Sequence, residues 1–117
     1  MAAKPNDLEK RTETFAAEVR RFVRSLPRTV GNIEDVKQLV RSSGSIAANC
    51  IEANESLGGK DRVMRFRISR KEAKESRLWL ALVNTGENRL LEEQRAALLQ
   101  EATELKLIFT AIIKKLE

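Results

Sequence analysis

The chain of 117 residues is 42% hydrophobic, 33% charged and only 4% aromatic, with a formal charge of +5. That length holds one domain built on one core. The absence of histidine excludes Ser–His and Cys–His nucleophilic pairs, histidine metal ligands and histidine general bases, and with them helical ribonucleases that depend on an Arg-x4-His motif. The richness in Ala, Leu, Glu, Lys and Arg favours helix over strand. Cys50 is the single cysteine, so no intrachain disulfide forms and a reducing cytosol is expected. MAAKPNDLEK has no apolar signal core, and no apolar run approaches the ~18 residues of a membrane span. The expectation is a soluble, cytoplasmic protein with no membrane partner, no cofactor, no metal and no catalytic residue.

Four helices are expected in one domain over 1–117, at roughly 7–25, 33–55, 60–85 and 87–116. In the first, Leu8, Phe15, Val19, Phe22 and Leu26 recur on one face, Asn6 or Asp7 caps the start, and Leu26-Pro27 ends it. After PRTVGN, Asn32 is expected to cap the second helix, with Glu34 and Asp35 in its first turn. Ile33, Val36, Val40, Ala47 and Cys50 form its stripe, flanked by Leu39, Ile46 and Ala53. The centre, SSGSIAA, is a run of small residues through which the apolar spacing continues. It reads as a thin waist for close packing at Gly44, Ile46 and Ala47, or as a serine-lined pocket. SLGG turns the chain, and Gly86 in NTGEN suits a left-handed residue past a helix end. In the fourth helix Leu91, Leu98, Ala102, Leu105, Phe109, Ile112 and Leu116 keep bundle spacing, interrupted at Arg95.

Short connections predict an all-α, up-down-up-down antiparallel four-helix bundle. The third helix has apolar residues on two sides: Met64, Ile68, Trp79 and Leu82 on one, Phe66, Ala73 and Leu80 on the other. A monomeric bundle does not need both, so self-association is expected, with Trp79 and Leu80 packing between helices or subunits.

GGK is not a Walker loop, which needs G-x-x-x-x-G-K-[ST] after a strand. Here Asn54 stands at the first Gly and Asp61 at the Ser/Thr. The glycines read as a helix end and tight turn, with Asp61 competing as a cap. The basic run after them is more informative. Residues 60–77 hold eight basic and three acidic groups, while the remainder holds fourteen of each. The entire net charge therefore lies in one segment. At 100° per residue, Arg67, Arg70, Lys71, Lys74 and Arg77 fall within about 120°, with Glu72 and Glu75 pointing elsewhere. Such a stripe suits phosphate contacts, giving salt-sensitive binding with little base readout. Alternatively it is solvated, or it pairs with carboxylates such as Glu52 and Glu55. Glu52, Glu55, Glu72 and Glu75 without histidine make a poor di-metal set. Cys50 reads as a small core residue.

The stretch RSSGSIAANCIEANESLGGKDRVMRFRISRKEAKESRLWLAL resembles the 23S rRNA-intervening sequence protein family. Its second-helix pattern is matched by Arg41, Ser42, Ser45, Ile46, Ala48, Asn49, Glu52 and Ala53. Its third-helix pattern is matched by Arg70, Lys71, Glu72, Ala73, Glu75, Trp79 and Leu80. Two departures are SLGGKD, where members carry a more lysine-rich turn, and Cys50, where an aromatic is common. The resemblance implies a left-handed up-down bundle assembled as a homopentameric ring. Some members are encoded within 23S rRNA genes. A related group assists retroelement reverse transcriptases, with a basic pentamer engaging enzyme and RNA. The expected function is thus a non-enzymatic oligomer binding RNA or DNA through the third-helix stripe. The alternative is a protein-interaction scaffold or reverse-transcriptase accessory that makes no direct nucleic-acid contact.

Overall fold

The computed structural model describes residues 5–117. Helix α1 spans Pro5–Val23, α2 Val30–Glu55, α3 Gly59–Leu82 and α4 Arg89–Leu116. Pro5 opens α1, where a missing N–H costs nothing. Asn6 and Asp7 both lie inside the helix, so neither is the expected cap. Leu8, Phe15, Val19 and Phe22 are buried at the predicted spacing, and Leu26 folds back to close the end of the core. The helix itself stops at Val23, two residues before the expected end, because Ser25 and Leu26 already turn by bonding to Phe22 O and Val23 O.

The start of α2 corrects a prediction. Thr29 is the cap, its hydroxyl accepting from Asn32 N at 3.1 Å, so the helix begins three residues early and its first turn carries no acid. Asn32 is freed for a tertiary role. Its side-chain amide donates to Pro27 O at 2.8 Å and Asn84 O at 2.7 Å, while its carbonyl accepts from Asn84 N at 2.8 Å. It is 3% exposed and joins the α1–α2 loop to the α3–α4 loop.

Successive helices run antiparallel because their connections are too short for anything else. The 24–29 and 83–88 links have six residues each. They reach at most about 20 Å, whereas a helix the length of α2 is about 39 Å long. Each helix packs on its chain neighbours, and α1 closes weakly on α4. The core is a column of 3/4-spaced residues: Leu39, Ile46, Cys50 and Ala53 from α2, Phe66, Ala73 and Leu80 from α3, and Leu98, Ala102, Leu105, Phe109 and Ile113 from α4. Phe66 and Phe109 meet at 6.0 Å between centroids.

Several stripe members are reassigned. Ile33 is 42% exposed and Leu116 likewise, and Ile113 rather than Ile112 is buried. The waist of α2 packs closely at Ser42 and Ser43, both fully buried. Ser42 Oγ lies 2.8 Å from Ser76 Oγ, and Ser69 Oγ donates to Ile46 O at 3.0 Å. Small hydroxyls on both helices let α2 and α3 approach while satisfying their own polar atoms. Gly44 and Ala47 are instead half-exposed, and a Cβ on Gly44 would meet only the Arg20 guanidinium, at 3.3 Å.

Of the two glycine sites, one departs from expectation and the other meets it. Gly58 caps α3 in extended conformation (φ −115°) with no side-chain cap, so the pair needs no left-handed backbone. Asp61 does not cap either; it accepts from Ser56 Oγ at 2.9 Å. Gly86 does adopt φ 67°, with Pro27 Cγ 3.1 Å from where a Cβ would sit. Glu87 follows at φ 62°, and Asn88 caps α4 by accepting from Leu91 N. No helix among the described residues is long and apolar enough to cross a membrane.

Candidate nucleic-acid interface

Helix α3 divides its circumference between two chemistries. Its inner face buries Phe66, Ser69, Glu72, Ala73, Ser76 and Leu80. The stripe singled out in the sequence lies on the outside. Arg67, Arg70, Lys71 and Lys74 line one shallow groove together with Glu75 and Leu78. Arg77 does not line it; it is half-buried with Nε sealed from solvent and without a hydrogen-bond partner. A second groove shares Arg67 and runs past Lys60 to Leu116 and Glu117, extending the surface toward the start of α3.

The inward alternative is met at one position, by a carboxylate other than the two expected. Glu52 and Glu55 pair with none of the stripe. Arg67 alone is ion-paired, with Glu117 at the end of α4, and both side chains are half exposed. An exposed pair of this kind contributes about 0–1 kcal/mol and is readily exchanged. Among the described residues Arg70, Lys71, Lys74 and Arg77 make no ion pair.

The two glutamates of the segment behave differently from each other. Glu72 points inward, 4% exposed, and takes a hydrogen bond from Arg41 of α2 at 2.9 Å. Burial pushes its carboxyl up, but contacts with Glu75, Arg41 and Ser45 outweigh this and hold it below the ordinary value. Glu75 does not point away as expected; it lines the basic groove, with Arg41 3.8 Å away. Its carboxyl is pushed up by the neighbouring Glu72 and by burial. Glu72 Oε1 is buried without a hydrogen-bond partner.

The signs are opposed. The depressed Glu72 stabilises the fold above the unfolded value of about 4.3 and ceases to as pH falls through its folded value. The raised Glu75 stabilises below about 4.3 and ceases to as pH rises through its folded value. Glu75→Gln removes the negative charge that Glu72 disfavours. It should raise the urea midpoint at pH 7 and lose that advantage on acidification toward pH 4. The gain is under about 1 kcal/mol, because this side chain is 37% exposed and solvent screens it.

Sequence reasoning missed Lys106. Arg95 donates to Val83 O at 2.5 Å at the end of α3, and Glu117 reaches Arg67 near its start. Arg95, Lys106 and Glu117 are spaced by 11 residues, which returns each to within about 20° of the same helical face. Lys106, half-buried, lies between them on the same flank of α4. The 11-residue recurrence was available in the sequence, but the direction of that face was not.

The remaining singled-out residues are structural in placement. Ile46 and Leu80 are fully buried. Trp79 is half-buried against the core with its indole nitrogen unpartnered. Cys50 is buried, which pushes its thiol up to about 11 and suppresses the reactive thiolate. Among the described residues no three Cys, Asp or Glu side chains gather to hold a metal.

A crystal structure from Bacteroides thetaiotaomicron, described as a protein of unknown function from the S23 ribosomal protein family, matches this fold. The TM-score is 0.78 at 29% identity, over 96% of this chain and 99% of that one. No protein of curated function matches the sequence. The family model described as 23S rRNA-intervening sequence protein matches residues 4–111. With its four helices in the expected order, the chain belongs to the 23S rRNA-intervening sequence protein family.

Proposed function

We propose that this protein is a non-enzymatic, homo-oligomeric helical bundle that binds RNA or DNA through the outer face of α3. The observation that carries the reading is the groove lined by Arg70, Lys71 and Lys74, which among the described residues make no ion pair. Among the described residues, seven basic side chains elsewhere or at its edge, such as Arg11 and Arg95, do find carboxylates. Cations left without partners on one face attract a polyanion. Self-association is supported by large apolar side chains left at the surface, among them Ile51, Met64, Leu82 and Leu107, and the pentamer is proposed by analogy with the family. Leu78, 50% exposed beside the groove, favours a second reading in which the same face docks a protein such as a reverse transcriptase.

The test is a salt series of binding to a labelled nucleic acid. Three or four neutralised phosphates predict a log–log slope of roughly −2 to −4. No binding at about 50 mM salt overturns the nucleic-acid reading. A light-scattering mass of 13.3 kDa, that of a single chain, overturns the oligomer.

A further inference from the structure

The groove on α3 contains one group that phosphate binding does not call for. Glu75 sits among Arg67, Arg70, Lys71 and Lys74, where a carboxylate repels every phosphate that the cations attract. It is held there from two sides. Arg41 approaches it from α2 at 3.8 Å, and Lys71, one turn earlier, acts on it electrostatically. Its side chain is 37% exposed, so an oxygen remains available to a ligand.

An ionised carboxylate only accepts hydrogen bonds. Phosphate oxygens and sugar ring oxygens also only accept, so the one donor on a nucleic-acid backbone is the ribose 2′-hydroxyl. Base amino groups are donors too, but in a duplex they lie on the groove floor, away from the phosphates, and in single strands reading them calls for stacking on aromatic side chains. The chain has five aromatics. All four phenylalanines are at most 5% exposed, and Trp79 is half-buried. There is no stacking platform beside the groove. An A-form duplex needs none, and its wide, shallow minor groove displays 2′-hydroxyls next to phosphates.

Resting on the proposed nucleic-acid reading, we infer that the occupant of this face is double-stranded RNA, and that Glu75 accepts a hydrogen bond from a 2′-hydroxyl while Lys71 and Lys74 hold the flanking phosphates. Glu75 is then the residue that separates RNA from DNA.

The experiment measures affinity by fluorescence anisotropy for three blunt duplexes of one sequence: RNA, DNA, and RNA carrying 2′-O-methyl groups. The methylated duplex keeps the charge and A-form shape but cannot donate. The unaltered protein is expected to bind RNA roughly five- to tenfold tighter than the other two, the size of one charge-assisted hydrogen bond at a partly exposed site. Glu75→Ala is expected to remove that preference, with DNA binding unchanged or strengthened as the repulsion goes. Equal binding of RNA and methylated RNA by the unaltered protein overturns the inference and leaves the nucleic-acid reading standing. So does a Glu75→Ala protein that gains equally on all three duplexes, or a single-stranded RNA that outcompetes the duplex. Failure to bind any of them overturns the nucleic-acid reading itself.

Discussion

Asn32→Ala is expected to destabilise the protein by about 2–4 kcal/mol, lowering the thermal midpoint by roughly 10 °C. The side chain makes three hydrogen bonds to backbone atoms 5 and 52 residues away. Truncation leaves Pro27 O, Asn84 O and Asn84 N to find new partners at a buried site. Each orphaned buried group costs about 1–3 kcal/mol before relaxation or water entry. Asn32→Asp is the sharper variant. It keeps an acceptor for Asn84 N but aims a carboxylate at two carbonyl oxygens, and should cost at least as much. Thr29→Ala is the calibration, because it removes the helix cap alone and should cost about 1 kcal/mol. Urea midpoints for the three proteins decide the matter. An Asn32→Ala loss no greater than that of Thr29→Ala would mean that the loop-to-loop bonds contribute nothing beyond the cap.

The second large effect concerns binding. Arg67→Glu, Lys71→Glu and Lys74→Glu together replace three positive groups with three negative ones on one face of α3. Binding to the RNA duplex is expected to fall by more than about two orders of magnitude at physiological salt, since the counterion-release term reverses at each site. The fold should survive. All three side chains are exposed, and the only ion pair lost, Arg67 with Glu117, is worth about 0–1 kcal/mol. A control reverses Lys10, Arg24 and Arg28, which are exposed on and just after α1. It makes the same change in net charge away from the groove and should leave most of the affinity intact. If both triple variants lose binding equally, net charge acts and the α3 face does not.

Much of this protein was determined by local sequence. Periodicity alone set the four helices, since Phe15, Val19 and Phe22, or Leu98, Ala102, Leu105 and Phe109, show their buried faces at 3.6 residues per turn. The angular phase of Arg67, Arg70, Lys71, Lys74 and Arg77 was equally legible, because five residues on one helix have fixed relative directions once the helix forms. Helix ends were read less well. Asn32 and Thr29 are both good caps by residue type, and what chose between them was Asn84, 52 residues downstream.

Only the tertiary structure decided which way the faces look. A helix's own sequence does not say which flank its neighbours cover, so the stripe was equally compatible with solvent and with carboxylates of other helices. Packing of α2 against α3 drew Glu72 inward onto Arg41 and left Glu75 in the groove. Packing of α4 along α3 set Glu117 over Arg67. These are contacts between residues 31 to 50 positions apart or further. Their partners are fixed by the burial of the whole core, a property that no window of the sequence contains.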